Sequence, residues 1–315
     1  MGGSLFISNS NAMNVNLTKI VRTLVLVGIG VIAIDFAVGK ILDAMIVKLN
    51  DCGQTSLTNY AYHRVETPIV IIGSSRANHH YVPKMIEDSV GLKTYNAGRD
   101  GQTLLYCSCI LNAIMDRYTP KMLIWEIVPS DLFEAETPIA LKPYYHQDSL
   151  IKSSIDHGLG WGCVLMYSNL YRYNTTASKI LSRIILSSPT DTIKTDGYLP
   201  LSVVKNTRSL CHRPDTFEGK VDPFLLSQIK YIVARAKQNN IKIVLVISPT
   251  LKPCALKQIE LIENVCQNIG IPFLDNSQLP IFVNNPSLFT DFVHLNHLGA
   301  EQYTQIFIEQ LHNVI

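Results

Sequence analysis

The chain alternates short runs of consecutive apolar residues with amphipathic stretches, and this rhythm constrains its fold more than any other feature. Ile69–Ile72 is an unbroken β-branched run, and Lys242–Ser248 reads Lys-Ile-Val-Leu-Val-Ile-Ser. Such runs suit strands buried on both faces. Further strands are expected at Lys93–Asn96, Lys121–Val128 and Pro272–Asp275. Between them lie helical stretches. Val82–Val90 carries Pro83 in its first turn, Thr103–Tyr118 breaks at Thr119-Pro120, and Leu256–Ile269 stops at Gly270. Pro223–Asn239 and Asn296–His312 complete the set. Strands joined by helical crossovers give an α/β fold, a parallel sheet with helices on both faces. The stretch from about 130 to 222 breaks the rhythm and is too long for an ordinary connection. It reads as a helical insertion over the carboxyl edge of the sheet, serving as a lid or substrate wall.

Two motifs carry chemistry. Gly73-Ser74-Ser75-Arg76 follows the first strand, and Asp291-Phe-Val-His294 precedes the last helix. A serine hydroxyl needs a base to take its proton and fixed donors to hold the oxyanion it generates. A position just after a buried strand lies at the carboxyl edge of the sheet, where open α/β folds bind ligands. Gly73 permits a sharp turn, and Ser75 falls at a helix start with free N–H groups. His294 suits a general base and acid, and Asp291 suits the group that orients its ring. Each motif also has a plainer reading. Ser74 and Ser75 could cap a helix, Asp291 could be a turn residue, and His294 could be a helix-entry histidine. Together they supply serine, aspartate and histidine in that chain order.

These motifs resemble the SGNH, or GDSL-type, hydrolase family over roughly residues 66–312. The resemblance implies a flavodoxin-like three-layer α/β/α sheet, with Ser75, Asp291 and His294 as catalytic residues. It implies oxyanion donors from the N–H groups of Ser75 and of Gly98, in Tyr95-Asn96-Ala97-Gly98. The third family block usually carries an asparagine; here the strand ends in Pro129-Ser130-Asp131, and Ser130 stands nearest, with a hydroxyl of shorter reach. Loss of one oxyanion donor costs on the order of 100-fold in rate. Arg76, Asn78 and Asn96 are expected to contact substrate, although an arginine in that place more often pairs with a nearby acid. Adjacent histidines at a helix start, His79 and His80, point apart, so no metal is expected, and no cofactor is implied. The implied substrate is an acylated glycan or other ester of the cell envelope. Water as acceptor gives an esterase and a sugar hydroxyl gives an O-acyltransferase; a scaffold without turnover is the non-enzyme alternative.

Thr23–Ile34 carries no charge, and the mean hydropathy of the whole chain is +0.16. Extended through residues 19–48, this stretch reaches the ~20 apolar residues a membrane-spanning helix needs. Lys19 and Arg22 favour a cytoplasmic N-terminus, which places the domain outside a bacterial inner membrane, in the periplasm. A cleaved signal peptide is the rival, and Ala37-Val38-Gly39 matches a cleavage site poorly. The expected organisation is a disordered 1–18, an anchor at 19–48, a linker at 49–65 and a domain at 66–315. A net charge of +2 gives no electrostatic case for nucleic acid. The seven cysteines, among them Cys211, Cys254 and Cys266, show no zinc-like spacing and read mostly as buried thiols.

Overall fold

A computed structural model describes residues 9–49, 53–186, 196–202, 220–252 and 256–314. In chain order these form α1 (Asn9–Ile46), α2 (Gln54–His63), β1 (Ile69–Ile72), α3 (Ser75–His80), α4 (Pro83–Val90), β2 (Thr94–Asn96), α5 (Leu104–Arg117) and β3 (Met122–Glu126). Then come α6 (Ser149–Leu159), α7 (Asn169–Arg172), α8 (Ala177–Leu186), α9 (Pro223–Gln238), β4 (Lys242–Ile247), α10 (Leu256–Ile269), β5 (Phe273–Asp275) and α11 (His297–His312). Capping explains several boundaries. Pro83 opens α4 and Gly91 closes it in the left-handed conformation. The Asp222 and Asn296 side chains accept the first N–H groups of α9 and α11.

The five strands are all parallel, in the order β2-β1-β3-β4-β5. Alternate residues of each strand feed opposite cores, as the two-residue period of a strand requires. Val70, Ile72, Leu123, Trp125, Leu245 and Ile247 face the cluster formed with α5, α9 and α10. Ile69, Ile71, Met122, Ile124, Val244 and Val246 face the cluster formed with α4 and α11. This is the flavodoxin-like three-layer arrangement, and its strand order reverses direction between β1 and β3. The carboxyl ends of those two strands therefore border the crevice where such folds place ligands. Gly73 closes that corner tightly, since a Cβ there would lie 2.7 Å from the Glu126 carbonyl oxygen.

Three segments differ from the sequence expectation. The stretch 49–65, expected as a linker, contains α2, which buries Leu57, Ala61 and Tyr62 and packs on α5. The i, i+4 spacing of Leu57 and Ala61 puts both on one helical face, and Tyr62 stacks on Tyr144 at 4.4 Å. Helix α1 begins at Asn9, so it takes in residues expected to be disordered; residues 1–8 lie outside the described residues. A polar helix start continues the hydrogen bonding of the apolar turns that follow it. The insertion divides in two. From α6 to α8 it packs on α1 and α5, away from the carboxyl edge, whereas 196–202 lies against α3, β2 and the start of α11. Residues 187–195 and 203–219 of it, like Cys211 and Cys254, are outside the described residues. Cys107, Cys109 and Cys266 are buried free thiols, whose pKa burial raises.

The end of α1 belongs to the domain core: Leu42 and Ile46 are buried within the α5–α9 cluster. A fully buried aliphatic side chain contributes about 1.5–3 kcal/mol. A chain that starts after Ile46 should therefore lose about 3–6 kcal/mol of stability in denaturant unfolding. An unchanged midpoint would mean the helix end is dispensable.

Candidate active site

Ser75 is the first residue of α3, directly after the β1 turn. Ser74 occupies the N-cap position but makes no side-chain cap, so capping does not account for the serine pair. The Ser75 hydroxyl lies 2.7 Å from His294 Nε2, and His294 Nδ1 lies 2.8 Å from Asp291 Oδ2. The loop before α11 thus returns across the sheet edge to meet the loop after β1. Asp291 Oδ1 also accepts the backbone N–H groups of Val293 and His294, at 2.9 and 2.8 Å. Burial pushes the Asp291 carboxyl upward, but the ring and these backbone donors outweigh it and hold its pKa below the usual value. A charged Asp291 fixes a proton on Nδ1 and leaves Nε2 as the acceptor facing the Ser75 hydroxyl. All three side chains are partly solvent-exposed.

Beneath them lies a buried polar lattice. Glu126, the last residue of β3, is fully buried and faces the Arg76 guanidinium at 3.2 Å. Its carboxylate also accepts from the Tyr81 hydroxyl and from the backbone N–H and hydroxyl of Ser248. Arg76 donates to the Ser248 carbonyl and hydroxyl oxygens. His80 Nε2 accepts the Leu295 N–H at 3.0 Å, so its proton sits on Nδ1, which donates to the Ser248 hydroxyl at 2.7 Å. Burial, with the Arg76 charge, depresses the His80 pKa strongly and keeps the ring neutral. Burial raises that of Glu126 against the pull of Arg76 and its hydroxyl and amide donors. The lattice links α3, β3 and β4 to Leu295, the neighbour of His294.

These contacts sort the remaining expected site residues. Arg76 is buried and turned inward, so its pairing with an acid replaces the expected substrate contact. Asn96 is likewise spent on structure, donating to the Ala77 and Tyr81 carbonyls and accepting the Gly98 N–H at 2.9 Å. That last bond engages the Gly98 N–H, which must share or release it to serve an oxyanion. Ser130 is exposed on the 3-10 turn Pro129–Leu132. Among the described residues no hydrogen bond ties its hydroxyl to Ser75, His294 or Asp291. Its neighbour Asp131 is the structural residue of that turn. It accepts the N–H groups of Val128 and Leu104, and burial raises its pKa to about 7. Asn78 is buried and donates to Asp100 Oδ1 at 2.9 Å, while its own Oδ1 has no partner among the described residues.

Sequence reasoning missed a second histidine–carboxylate pair. His79, one helical turn after Ser75, lies 3.1 Å from Asp100 Oδ1 through Nε2 and 2.6 Å from the Leu199 carbonyl through Nδ1. Its ring stands edge-on to His294, with centroids 5.8 Å apart. Both ring nitrogens face acceptors that cannot donate, which is the setting of an imidazolium. The segment 196–202 closes over this pair, with the Asn96 N–H donating to the Asp196 carbonyl and the His297 N–H donating to that of Leu201. The one advance signal for the lattice is a glutamate inside the apolar run Met-Leu-Ile-Trp-Glu, because a charge in a doubly covered strand needs a partner.

Removal of one member of a buried ion pair costs about 3–5 kcal/mol. Glu126→Ala should lower stability by about that amount in denaturant unfolding, and a loss below about 1 kcal/mol would contradict the lattice. Burial pushes the His79 ring down, but Asp100 and the Leu199 carbonyl outweigh it and raise its pKa above the ordinary 6.5. The stability it contributes is therefore full below that ordinary value and is lost as the pH rises through the raised one. Titration of His79 followed by NMR should show a midpoint above 6.5, and Asp100→Asn should lower it.

No known protein family and no curated protein sequence matches the chain. Among solved structures it is similar to a candidate acylhydrolase of Bacteroides fragilis, at 15% identity over 80% of this chain and 95% of that one, with a TM-score of 0.40. A GDSL-like lipase of Bacteroides thetaiotaomicron is similar at 12% identity over 82% of this chain and 100% of that one, TM-score 0.40. An α/β hydrolase from the metagenome of Lake Arreo is similar at 12% identity over 79% and 96%, TM-score 0.41.

Proposed function

We propose that this chain is a membrane-anchored serine hydrolase of the SGNH type that cleaves ester bonds. The observation that carries this reading is the unbroken relay from the Ser75 hydroxyl through His294 to Asp291, at 2.7 and 2.8 Å. In the proposed reaction Ser75 Oγ attacks the ester carbonyl while His294 Nε2 takes its proton. Asp291 stabilises the imidazolium. The oxyanion is held by the Ser75 N–H in the first turn of α3, joined by the Gly98 N–H once Asn96 shares it. Collapse of the intermediate expels the alcohol, which leaves with the proton from His294, and an acyl group stays on Ser75. His294 Nε2 then takes the acceptor's proton as the acceptor oxygen bonds to the acyl carbon, and it passes that proton to Ser75 Oγ as the Oγ–acyl bond breaks. The acceptor is water in an esterase and a sugar hydroxyl in an O-acyltransferase. Ser130 is not offered as an oxyanion donor in this scheme. With one donor fewer than the family pattern, the reaction is slowed by about 100-fold.

The substrate class we favour is the O-acyl group, acetyl foremost, of a cell-envelope glycan. Support comes from the position of the domain on the outer side of a bacterial inner membrane, itself a proposal. Asn78, whose Oδ1 is a buried acceptor without a partner among the described residues, is the residue we assign to substrate.

The anchor reading rests on α1. Among the described residues one helical stretch, Leu17–Ile46, is long and apolar enough to cross a membrane, and only 6% of its most apolar window is buried. Its far end is built into the domain: Asp43 pairs with Arg172 at 3.2 Å and accepts from the Tyr173 hydroxyl. Signal-peptide cleavage near Ala37–Gly39 would remove Asp35, which holds the start of α7. We therefore favour an uncleaved anchor with no cofactor and an ester as ligand.

With short-chain acyl esters as substrates, Ser75→Ala should reduce turnover to background, and Asp291→Asn should lower kcat by on the order of 10⁴. Equal turnover by the parent and Ser75→Ala would reject the mechanism. A rise in acylated sugar at the expense of free acid, when oligosaccharide is added, would assign the transferase branch.

A further inference from the structure

The segment Gly160–Tyr167 exposes apolar side chains that the proposed hydrolase does not use. Trp161 is 99% exposed, Tyr167 67% and Val164 65%; Leu165 and Leu170 are also exposed. This is not a scatter of single residues, because the segment is fastened to α1. Asp35 accepts from the Ser168 hydroxyl at 2.7 Å and from the backbone N–H groups of Asn169 and Leu170 at 2.8 Å each. Gly39 allows the close approach, since a Cβ there would strike Asn169. Tyr167 also lines a cleft of about 460 Å³ together with Phe36, Lys40, His146 and Arg172.

The depth of the attachment follows from helix geometry. Leu17 to Asp35 is a rise of about 27 Å at 1.5 Å per residue. That matches the roughly 30 Å of bilayer hydrocarbon. When Leu17–Ile34 spans the core, with Lys19 and Arg22 near its start extending back to the cytoplasmic headgroups, Asp35 reaches the opposite boundary with water, and Ser168–Leu170 lie at the same level. Tryptophan and tyrosine favour that boundary, with the ring in the acyl–headgroup region. Lys40 lines the cleft at the level where anionic headgroups sit.

We propose that Gly160–Leu170 is a second membrane-contact surface, and that its partner is the lipid bilayer into which α1 inserts. Trp161, Val164, Leu165, Tyr167 and Leu170 enter the interfacial layer beside α1. The domain, already joined to α1 through Leu42, Asp43 and Ile46, is then held at two points, which fixes its tilt against the bilayer. This surface rests on the anchor reading and not on the chemistry at Ser75.

The chain contains two tryptophans, and the other, Trp125, is fully buried in the core. Trp161 therefore reports on its own surface once the spectrum of Trp161→Phe is subtracted. The full-length protein is reconstituted in phosphatidylcholine–phosphatidylglycerol vesicles whose acyl chains carry bromine at shallow or deep positions. Trp161 should show blue-shifted emission, stronger loss of intensity with shallow than with deep bromines, and protection from aqueous iodide. Quenching by iodide without quenching by bromolipid overturns the proposal. Protection from both also overturns it, because a second copy or another protein would then cover the face. Ile29→Trp in the Trp161→Phe background tests the anchor in the same vesicles. Loss of its emission to deep bromines while Trp161 stays unquenched rejects the surface alone, and absence of quenching at both positions rejects surface and anchor together.

Discussion

A buried charge pair holds the candidate site together. Glu126 at the end of β3 and Arg76 on α3 meet with both side chains buried. Their attraction alone need not outweigh the cost of removing both from solvent. The surrounding hydrogen bonds make the arrangement workable. The Ser248 hydroxyl accepts hydrogen bonds from Arg76 and His80 and donates one to Glu126, and His80 in turn accepts the Leu295 N–H. Each bond in this chain has a fixed direction, so the helix bearing Ser75 and the loop bearing His294 are locked to the same two strands. The relay at the surface depends on that lock, because Ser75 and His294 are 219 residues apart in sequence.

Much of this was legible in the chain. Apolar runs marked β1, β3 and β4, the central strands, since a doubly covered strand has no polar face to disguise it. The glycine-serine turn and the Asp-x-x-His pair marked the relay, because serine chemistry needs those groups and few folds supply them by accident. Less was legible where a side chain's direction decides its role. Arg76 and Asn96 sit beside the serine in sequence yet point into the protein, a matter of helix phase and strand face that a motif does not encode. Ser130 stands where the family pattern has an asparagine, but the 3-10 turn leaves it exposed. His79 and Asp100 come together only because the turn after β2 returns toward α3. The stretch at 49–65 concealed a helix because its apolar face is short, Leu57 and Ala61 with aromatic neighbours.

The relation between α1 and the domain is also physical rather than incidental. An aspartate in the apolar run of α1 would be costly if it faced lipid. Here its oxygens receive the first N–H groups of α7, where a helix start favours negative charge. The same residue that interrupts the hydrophobic stretch in sequence thus becomes the joint between α1 and the insertion. Leu42 and Ile46 then carry the helix into the core. Two helices of the insertion, α7 and α8, pack on α1, whereas 196–202 lies at the carboxyl edge of the sheet beside His79 and Asp100.

The central claim is that Ser75 is an activated nucleophile. The most direct measurement is to treat the full-length protein with a fluorophosphonate and map the adduct by peptide mass spectrometry. The account predicts one covalent adduct on the peptide containing Ser75, formed at neutral pH and abolished by His294→Ala. An unmodified Ser75 peptide under conditions that label a control serine esterase would contradict it.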